Sequence, residues 1–347
     1  MLYVDRIPDT SSVEAITARA RRAERLQMAG LWSAEAARDP FLPLVTAATA
    51  TSQLLLGTGI AVAYARSPYA TAMTSWDLQR LSGGRFRLGL ATQVRPHIER
   101  RFGMPWPGGV GALRDYVATV RAVLHTFQTG EKPDHRGPHY QFTLMNPEFQ
   151  PEPLPGGWAQ IPIWLAAVGP ASARLAGEIA DGLHVHAFHT PAYLRDVLLA
   201  EVASGRARAG SATPIQATCP VFAGIAHDDD QARIVRDDFR GALAFYASTP
   251  GYRAVLEHEG LGDLHEPLHE LSRQRRWADM SALIDDDVLD RFAIVDAPAA
   301  LGARLRERYD GLLTELALYR GGDRFASDED MDVLVRELGR PAVPVQQ

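Results

Sequence analysis

Residues 163–188 read IWLAAVGPASARLAGEIADGLHVHAF. The apolar run Ile163 to Ala167 is a strand, Gly169-Pro170 breaks it, Ala171 to Ala180 is a helix, and Leu183 to Phe188 is a second strand. The same strand, loop and helix unit recurs on both sides. Upstream strands are Leu2–Val4, Leu31–Ser33, Leu54–Thr58 and Arg85–Leu90; downstream strands are Ile215–Ile225 and Leu312–Leu318. Leu54–Thr58 shows no polar alternation, as a strand covered on both faces requires. Helices are expected from Ser11 or Ser12 to Ala29, over Phe41–Thr51, Pro68–Leu81, Gly111–Phe127, Pro191–Gly205 and Asp328–Leu338, and from Pro298 to Tyr309. Glu14 stands three residues after Ser11, a capping-box spacing. Eight short strands alternating with helices predict a closed (β/α)8 TIM barrel, an α/β fold. A doubly wound open sheet would place Gly-x-Gly-x-x-Gly after its first strand, and none occurs there.

One barrel domain is expected over 1–340, with a loose tail at 341–347. Two insertions interrupt it. The first, over 91–160, begins as a long loop to Gly109 and includes a hairpin between Gly130 and Leu144. Five prolines, at 147, 151, 153, 155 and 162, argue against a regular element in its last part. The second insertion, over 236–290, carries irregular helical patches.

Net charge is −6, with 36 basic and 42 acidic residues, so no basic nucleic-acid footprint exists. No apolar stretch reaches membrane-spanning length, and the first residues do not form a signal peptide. The single cysteine, Cys219, excludes an internal disulfide and reads as a buried thiol in a cytoplasmic protein.

In a barrel, chemistry gathers at the C-terminal ends of the strands. Glu35 follows the second strand, where a carboxylate either serves a cofactor ring or proton transfer, or caps a helix or pairs with Arg38. Asp39 is explained as an N-cap. Gly57-Thr58-Gly59-Ile60 reads equally as a structural turn and as a shelf for a ligand. Thr92 and Gln93 offer hydrogen bonds to a planar cofactor, and His97 is a candidate for proton transfer. Arg95, Arg100 and Arg101 face acidic groups or form a solvated rim. Ala167-Val168-Gly169 leads into a helix N-terminus, the setting of phosphate sites and of plain tight turns alike. His184 and His186 share a face. His186, nearer the mouth, is the site candidate; His184 is expected as a hydrogen-bonded wall residue. No metal site is expected. Trp106, in the Gly- and Pro-rich loop, is positioned to cover a ligand. No Gly-x-Ser-x-Gly elbow is present, which argues against covalent hydrolysis.

Several ordered pieces carry a resemblance along nearly the whole chain. They are Ala29-Gly30-Leu31-Trp32 leading to Glu35, Leu56 to Ile60, Leu81 to Phe86 leading to Leu88-Gly89-Leu90, Val168-Gly169-Pro170, Ala180-Asp181-Gly182, and Phe292 to Pro298. Together they resemble the luciferase-like monooxygenase superfamily, and within it the oxidoreductases that use the deazaflavin coenzyme F420. The resemblance implies a barrel that commonly dimerises, so a homodimer is expected. It implies a non-prolyl cis peptide at Gly59-Ile60 behind the cofactor ring, ring-edge contacts at Thr92 and Gln93, and a phosphate turn at Ala167, Val168 and Gly169. It makes Phe292–Pro298 the final barrel segment. It also implies hydride transfer between F420 and a small organic substrate, with Glu35, His97 and His186 handling protons. Departures exist. Ala36 stands where the family's sugar-phosphate and alcohol dehydrogenases carry a histidine, and Val94 where the sugar-phosphate enzymes carry a carboxylate, which disfavours sugar-phosphate oxidation. Rival readings are an FMN-dependent monooxygenase with a separate reductase, and a barrel that binds a flavin or small ligand without turnover.

Overall fold

The structure, a computed structural model, describes residues 1–8 and 12–341. Eight parallel strands form the barrel: β1 (Leu2–Arg6), β2 (Gly30–Ser33), β3 (Leu55–Thr58), β4 (Phe86–Ala91), β5 (Ile163–Ala167), β6 (Gly182–Val185), β7 (Gln216–Val221) and β8 (Glu315–Leu318). Each pairs with the next, and Tyr3 opposite Leu316 closes β1 onto β8. The helices wrap the outside and bury apolar faces against the sheet. No helix of the described residues is long and apolar enough to cross a membrane.

The registers divide each strand into outward and inward residues. Val4, Trp32 and Ala317 form a small cluster separate from the main core, so their face of each strand lines the barrel interior. Below them lies a buried ion pair, Arg87 to Glu315 at 2.8 Å, with the guanidinium over Trp32 and Trp164. His184 packs against the same two indoles at 6.0 and 5.5 Å. Glycines make the room. A Cβ on Gly57 would meet the Trp32 ring at 2.0 Å, and one on Gly182 the Trp164 ring at 2.0 Å. The lower interior is therefore filled, and only the C-terminal mouth stays open.

Most expected elements lie where the sequence places them; Pro68–Leu81, Ile163–Ala167 and Asp328–Leu338 match end to end. Other boundaries differ for local reasons. The first helix is capped by Ser12, whose side chain accepts from the Ala15 N–H at 3.2 Å; Ser11 lies outside the described residues, as does the tail beyond Pro341. The sixth strand stops at Val185 because the Phe188 N–H turns onto His186 Nδ1 at 3.1 Å. The expected strand Ile215–Ile225 splits at Phe222: β7 stays in the barrel, while Ala223–Ile225 pairs with Ile294–Asp296 outside it. Phe292–Pro298 is thus not the final barrel segment; β8 is. The loop after β4 contains a short helix, Arg95–Arg100, started by Pro96 in its first turn. The helix Asp229–Ala247 runs through the expected insertion boundary at 236. The hairpin is present as His135–Arg136 against Gln141–Phe142.

Candidate active site at the barrel mouth

Strand periodicity decides what faces the mouth. On β1 and β8, Arg6 follows Val4 and Tyr319 follows Ala317 on the inward face; on β6, His186 follows His184. Opposite them, β2 to β5 end inward in Ala34, Gly59, Ala91 and Ala166, all small and only half-buried. One side of the rim is flat and open, and the other is polar and aromatic. A cavity of about 380 Å³ opens there, lined among others by Arg6, Ala34, Ala36, Tyr246, Tyr319 and Arg320.

The small-residue side holds most of the expected contacts. The Gly59–Ile60 peptide is cis. Beyond it the chain resumes as Ala61–Val62, pairing with Leu90 and Ala91 of β4. Glu35 fastens this segment. Its N–H donates to the Ile60 carbonyl at 2.9 Å, and its carboxylate accepts from the Val62 N–H at 2.7 Å. Arg66 completes the set with two bonds at 2.8 Å, one to each oxygen. The Glu35 side chain is only 6 % exposed, so these donors occupy it. Its partner is Arg66 rather than Arg38. Asp39 behaves as a cap, accepting from Phe41 and Leu42.

Thr92 and Gln93 follow β4, both half-buried. Gln93 adopts φ 60°, a left-handed conformation that costs a non-glycine residue about 1–2 kcal/mol. Its own side chain supports the turn by accepting from the Val94 N–H at 3.0 Å. Gln27 and Arg275 share this conformation but sit just beyond helix ends, where it is ordinary. A left-handed glutamine at a strand end facing the mouth points to a built loop. His97 lies on the exposed face of Arg95–Arg100. Arg95 pairs with Glu99, and Arg101 donates to the Ala36 carbonyl, tying the β4 loop to the β2 loop. Trp106 sets its edge against Tyr64 at 5.2 Å, which anchors the loop beside the resumed strand.

After β5, Gly169 caps the helix Pro170–Ile179, and a Cβ there would meet nothing within 4 Å. The first turn carries no acid, and the Ser172 hydroxyl donates to the Gly169 carbonyl. The N–H groups of Ala171 and Ser172 remain available to an anion. This suits the phosphodiester of a nucleotide-like cofactor.

On the polar side, the three histidines of the β6 segment are all kept neutral. Burial, with nearby Arg87 and Arg6, pulls His184 down to about 3. No hydrogen bond of His184 occurs among the described residues; it is a packed wall residue rather than a hydrogen-bonded one. Burial, with His189 and Arg6, pulls His186 down to about 4, and burial holds His189 at about 4. Because His186 Nδ1 accepts from Phe188, its proton sits on Nε2 and is donated to the Tyr252 hydroxyl oxygen at 3.1 Å. Tyr252 also stacks on the imidazole at 4.7 Å. Burial pushes the Tyr252 phenol up, so it keeps its proton. The Tyr246 and Tyr319 hydroxyls bond each other at 2.8 Å. Arg6, Tyr252 and Tyr319 were not singled out from the sequence. Their signal was available only for Arg6, an arginine in phase with the inward face of the first strand. Cys219 is buried, and burial pushes its thiol up. Among the described residues, no three His, Cys, Asp or Glu side chains converge as a metal site.

Residues 4–315 match the family described as luciferase-like monooxygenase. The chain belongs to this family. The superfamily includes a branch of F420-dependent oxidoreductases. An uncharacterized Mycobacterium tuberculosis protein, Rv1360, is 43 % identical over 292 residues, covering 84 % of this chain and 85 % of that one. The 5,10-methylenetetrahydromethanopterin reductase of Archaeoglobus fulgidus is 25 % identical over 313 residues, 88 % of this chain and 87 % of that one. Among solved structures, the coenzyme F420-dependent tetrahydromethanopterin reductase from Methanopyrus kandleri superimposes with TM-score 0.80 at 20 % identity, over 97 % of this chain and 98 % of that one.

Proposed function

We propose that this luciferase-like barrel is an F420-dependent oxidoreductase acting on a small organic substrate. The observation that carries the reading is the run of small, cofactor-shaped features on three adjacent strands: Gly59–Ile60 after β3, Thr92–Gln93 after β4, and the open helix N-terminus at Ala167-Val168-Gly169 after β5. The likeness to the coenzyme F420-dependent tetrahydromethanopterin reductase supports it. When bound, the deazaflavin supplies a hydride donor or acceptor. The chain does the rest. Ile60 backs the ring, Thr92 and Gln93 bond its edge, and the Ala171 and Ser172 N–H groups hold the phosphodiester.

Glu35, His97 and His186 divide the remaining work. Glu35 positions the Ile60 segment through Val62 and Arg66. His186 stays neutral and fixes Tyr252, whose hydroxyl hydrogen then points away from the imidazole, free to donate to a substrate oxygen or nitrogen. His97, exposed on the helix after β4, is the candidate nearest solvent for proton transfer. A single buried cysteine supports a cytoplasmic setting. Leu42 and Val45, exposed one helical turn apart, support a homodimer, which light scattering on the purified protein tests. The central experiment is a titration of the protein with F420 and, separately, with FMN. Stoichiometric F420 binding with weak FMN binding is the expected result. Tight FMN binding with oxygen uptake only when the flavin is reduced would replace this reading with a monooxygenase, and binding without turnover over a substrate panel would reduce it to a binding barrel.

A further inference from the structure

The inward face of β1 ends in a charge that nothing answers. Arg6 shares its face with Val4 and Trp32, so its guanidinium reaches up into the mouth. No ion pair or side-chain hydrogen bond holds it among the described residues. Two aspartates also line the cavity, Asp5 and Asp323, but both are spoken for by Arg19, at 2.6 and 2.9 Å. Asp5 lies on the opposite face of its strand from Arg6. Arg320 lines the same cavity without a partner among the described residues. The cavity thus holds three arginines against two aspartates, in a chain whose net charge is −6. The excess of positive charge favours an anionic ligand.

The unmatched arginine also lies on the far side of the barrel from the phosphate turn, since β1 and β5 are separated by three strands either way round. Its company is the tyrosine pair Tyr246–Tyr319 and neutral His186, which supply no negative charge. We propose that Arg6 is the counter-charge for a carboxylate on the substrate, and that the enzyme acts on small organic acids. The proposal rests on the F420 reading for the side of the mouth it leaves to the substrate. A single planar guanidinium offers two parallel donors that match a carboxylate. One hydroxyl hydrogen of the Tyr246–Tyr319 pair is spent within the pair, and the other is left to bond an outer lone pair of the carboxylate. Hydride transfer then takes place on the cofactor-facing part of the same molecule.

The test uses benzoate, benzamide and phenyl phosphate as probes, bound to the purified protein and followed by calorimetry. Benzoate is expected to bind at least 10-fold tighter than benzamide, a ratio that Arg6→Met abolishes and Arg6→Lys partly keeps. F420 affinity and the urea midpoint of Arg6→Met are expected to stay at the wild-type values. Equal binding of benzoate and benzamide, or no benzoate binding, overturns the proposal. So does a matching loss of F420 affinity in Arg6→Met, which would give the arginine to the cofactor. Phenyl phosphate binding tighter than benzoate would overturn the choice of carboxylate. If wild-type protein discriminates benzoate but does not bind F420, the cofactor reading fails and the anion site stands.

Discussion

Replacing Glu35 by glutamine separates the two roles open to that residue. The carboxylate accepts from both Arg66 nitrogens and from the Val62 N–H at 2.7 to 2.8 Å. Glutamine keeps one acceptor oxygen and turns an NH2 group toward a donor. It therefore loses at least one charge-assisted bond, worth about 1.5–3 kcal/mol, and leaves Arg66 without its counter-charge. Breaking a fully buried pair costs roughly 3–5 kcal/mol. Arg66 retains 19 % exposure, so water recovers part of this. The expected loss is about 2–4 kcal/mol, read from urea unfolding followed by tryptophan fluorescence. A double-mutant cycle with Arg66→Met should return a coupling of about 2 kcal/mol. F420 affinity should fall about 10-fold, because the Ile60 segment loses its tether. A loss below about 1 kcal/mol, with no coupling and normal F420 binding, would falsify the positioning role.

Three other outcomes follow from the same geometry. Glu315→Leu should cost about 2–4 kcal/mol by leaving Arg87, only 18 % exposed, without its counter-charge, whereas Arg87→Met combined with Glu315→Leu should recover much of it; equal costs for the single and double variants in urea unfolding would contradict this. Acid should weaken the fold well before carboxylates titrate. His184, His186 and His189 sit at about 3, 4 and 4 when folded, against 6.5 when unfolded, so below 6.5 the unfolded chain takes up protons that the folded one refuses. Their stability contribution is whole above 6.5 and is lost as pH falls toward 4, by up to about 1.4 kcal/mol per pH unit for each histidine; a urea midpoint unchanged between pH 7 and 5 would exclude it. Tyr252→Phe should lower turnover of any substrate the wild type accepts by about 10²-fold with F420 affinity intact; unchanged turnover would remove the hydroxyl from the reaction.

The strands and the rim could be read from the sequence because each is a local pattern. Short apolar runs, breaker pairs such as Gly169-Pro170 and helix caps act within a few residues. Glu35, Thr92, Gln93 and Gly169 were reachable because a barrel places every strand end at one mouth. Partners were not reachable. His186 meets Tyr252 66 residues later, and Arg87 meets Glu315 228 residues later. Nothing local marks Arg66 as the partner of Glu35 in place of the nearby Arg38. The split of Ile215–Ile225 was hidden for the same reason: a second strand, Ile294–Asp296, draws off its end.

Glycines that the sequence offers as a ligand shelf prove to have two different uses. Gly57 and Gly182 make room for the Trp32 and Trp164 rings, and Gly89 for His184, where a Cβ would come within 2.6 Å of Nε2. These three let large residues fill the lower barrel. Gly59 lies one step higher, where a Cβ would press on Trp32 Cβ at 3.2 Å without entering a ring. The floor is thus set by aromatic bulk and the shelf by its absence. On the proposed reading, the filled floor would keep a planar guest from sinking below Ile60 and Ala91, and it would face Arg6, Tyr252 and Tyr319 across the mouth. The rim is thus asymmetric, one side shaped by missing side chains and the other by charged and hydroxyl-bearing ones.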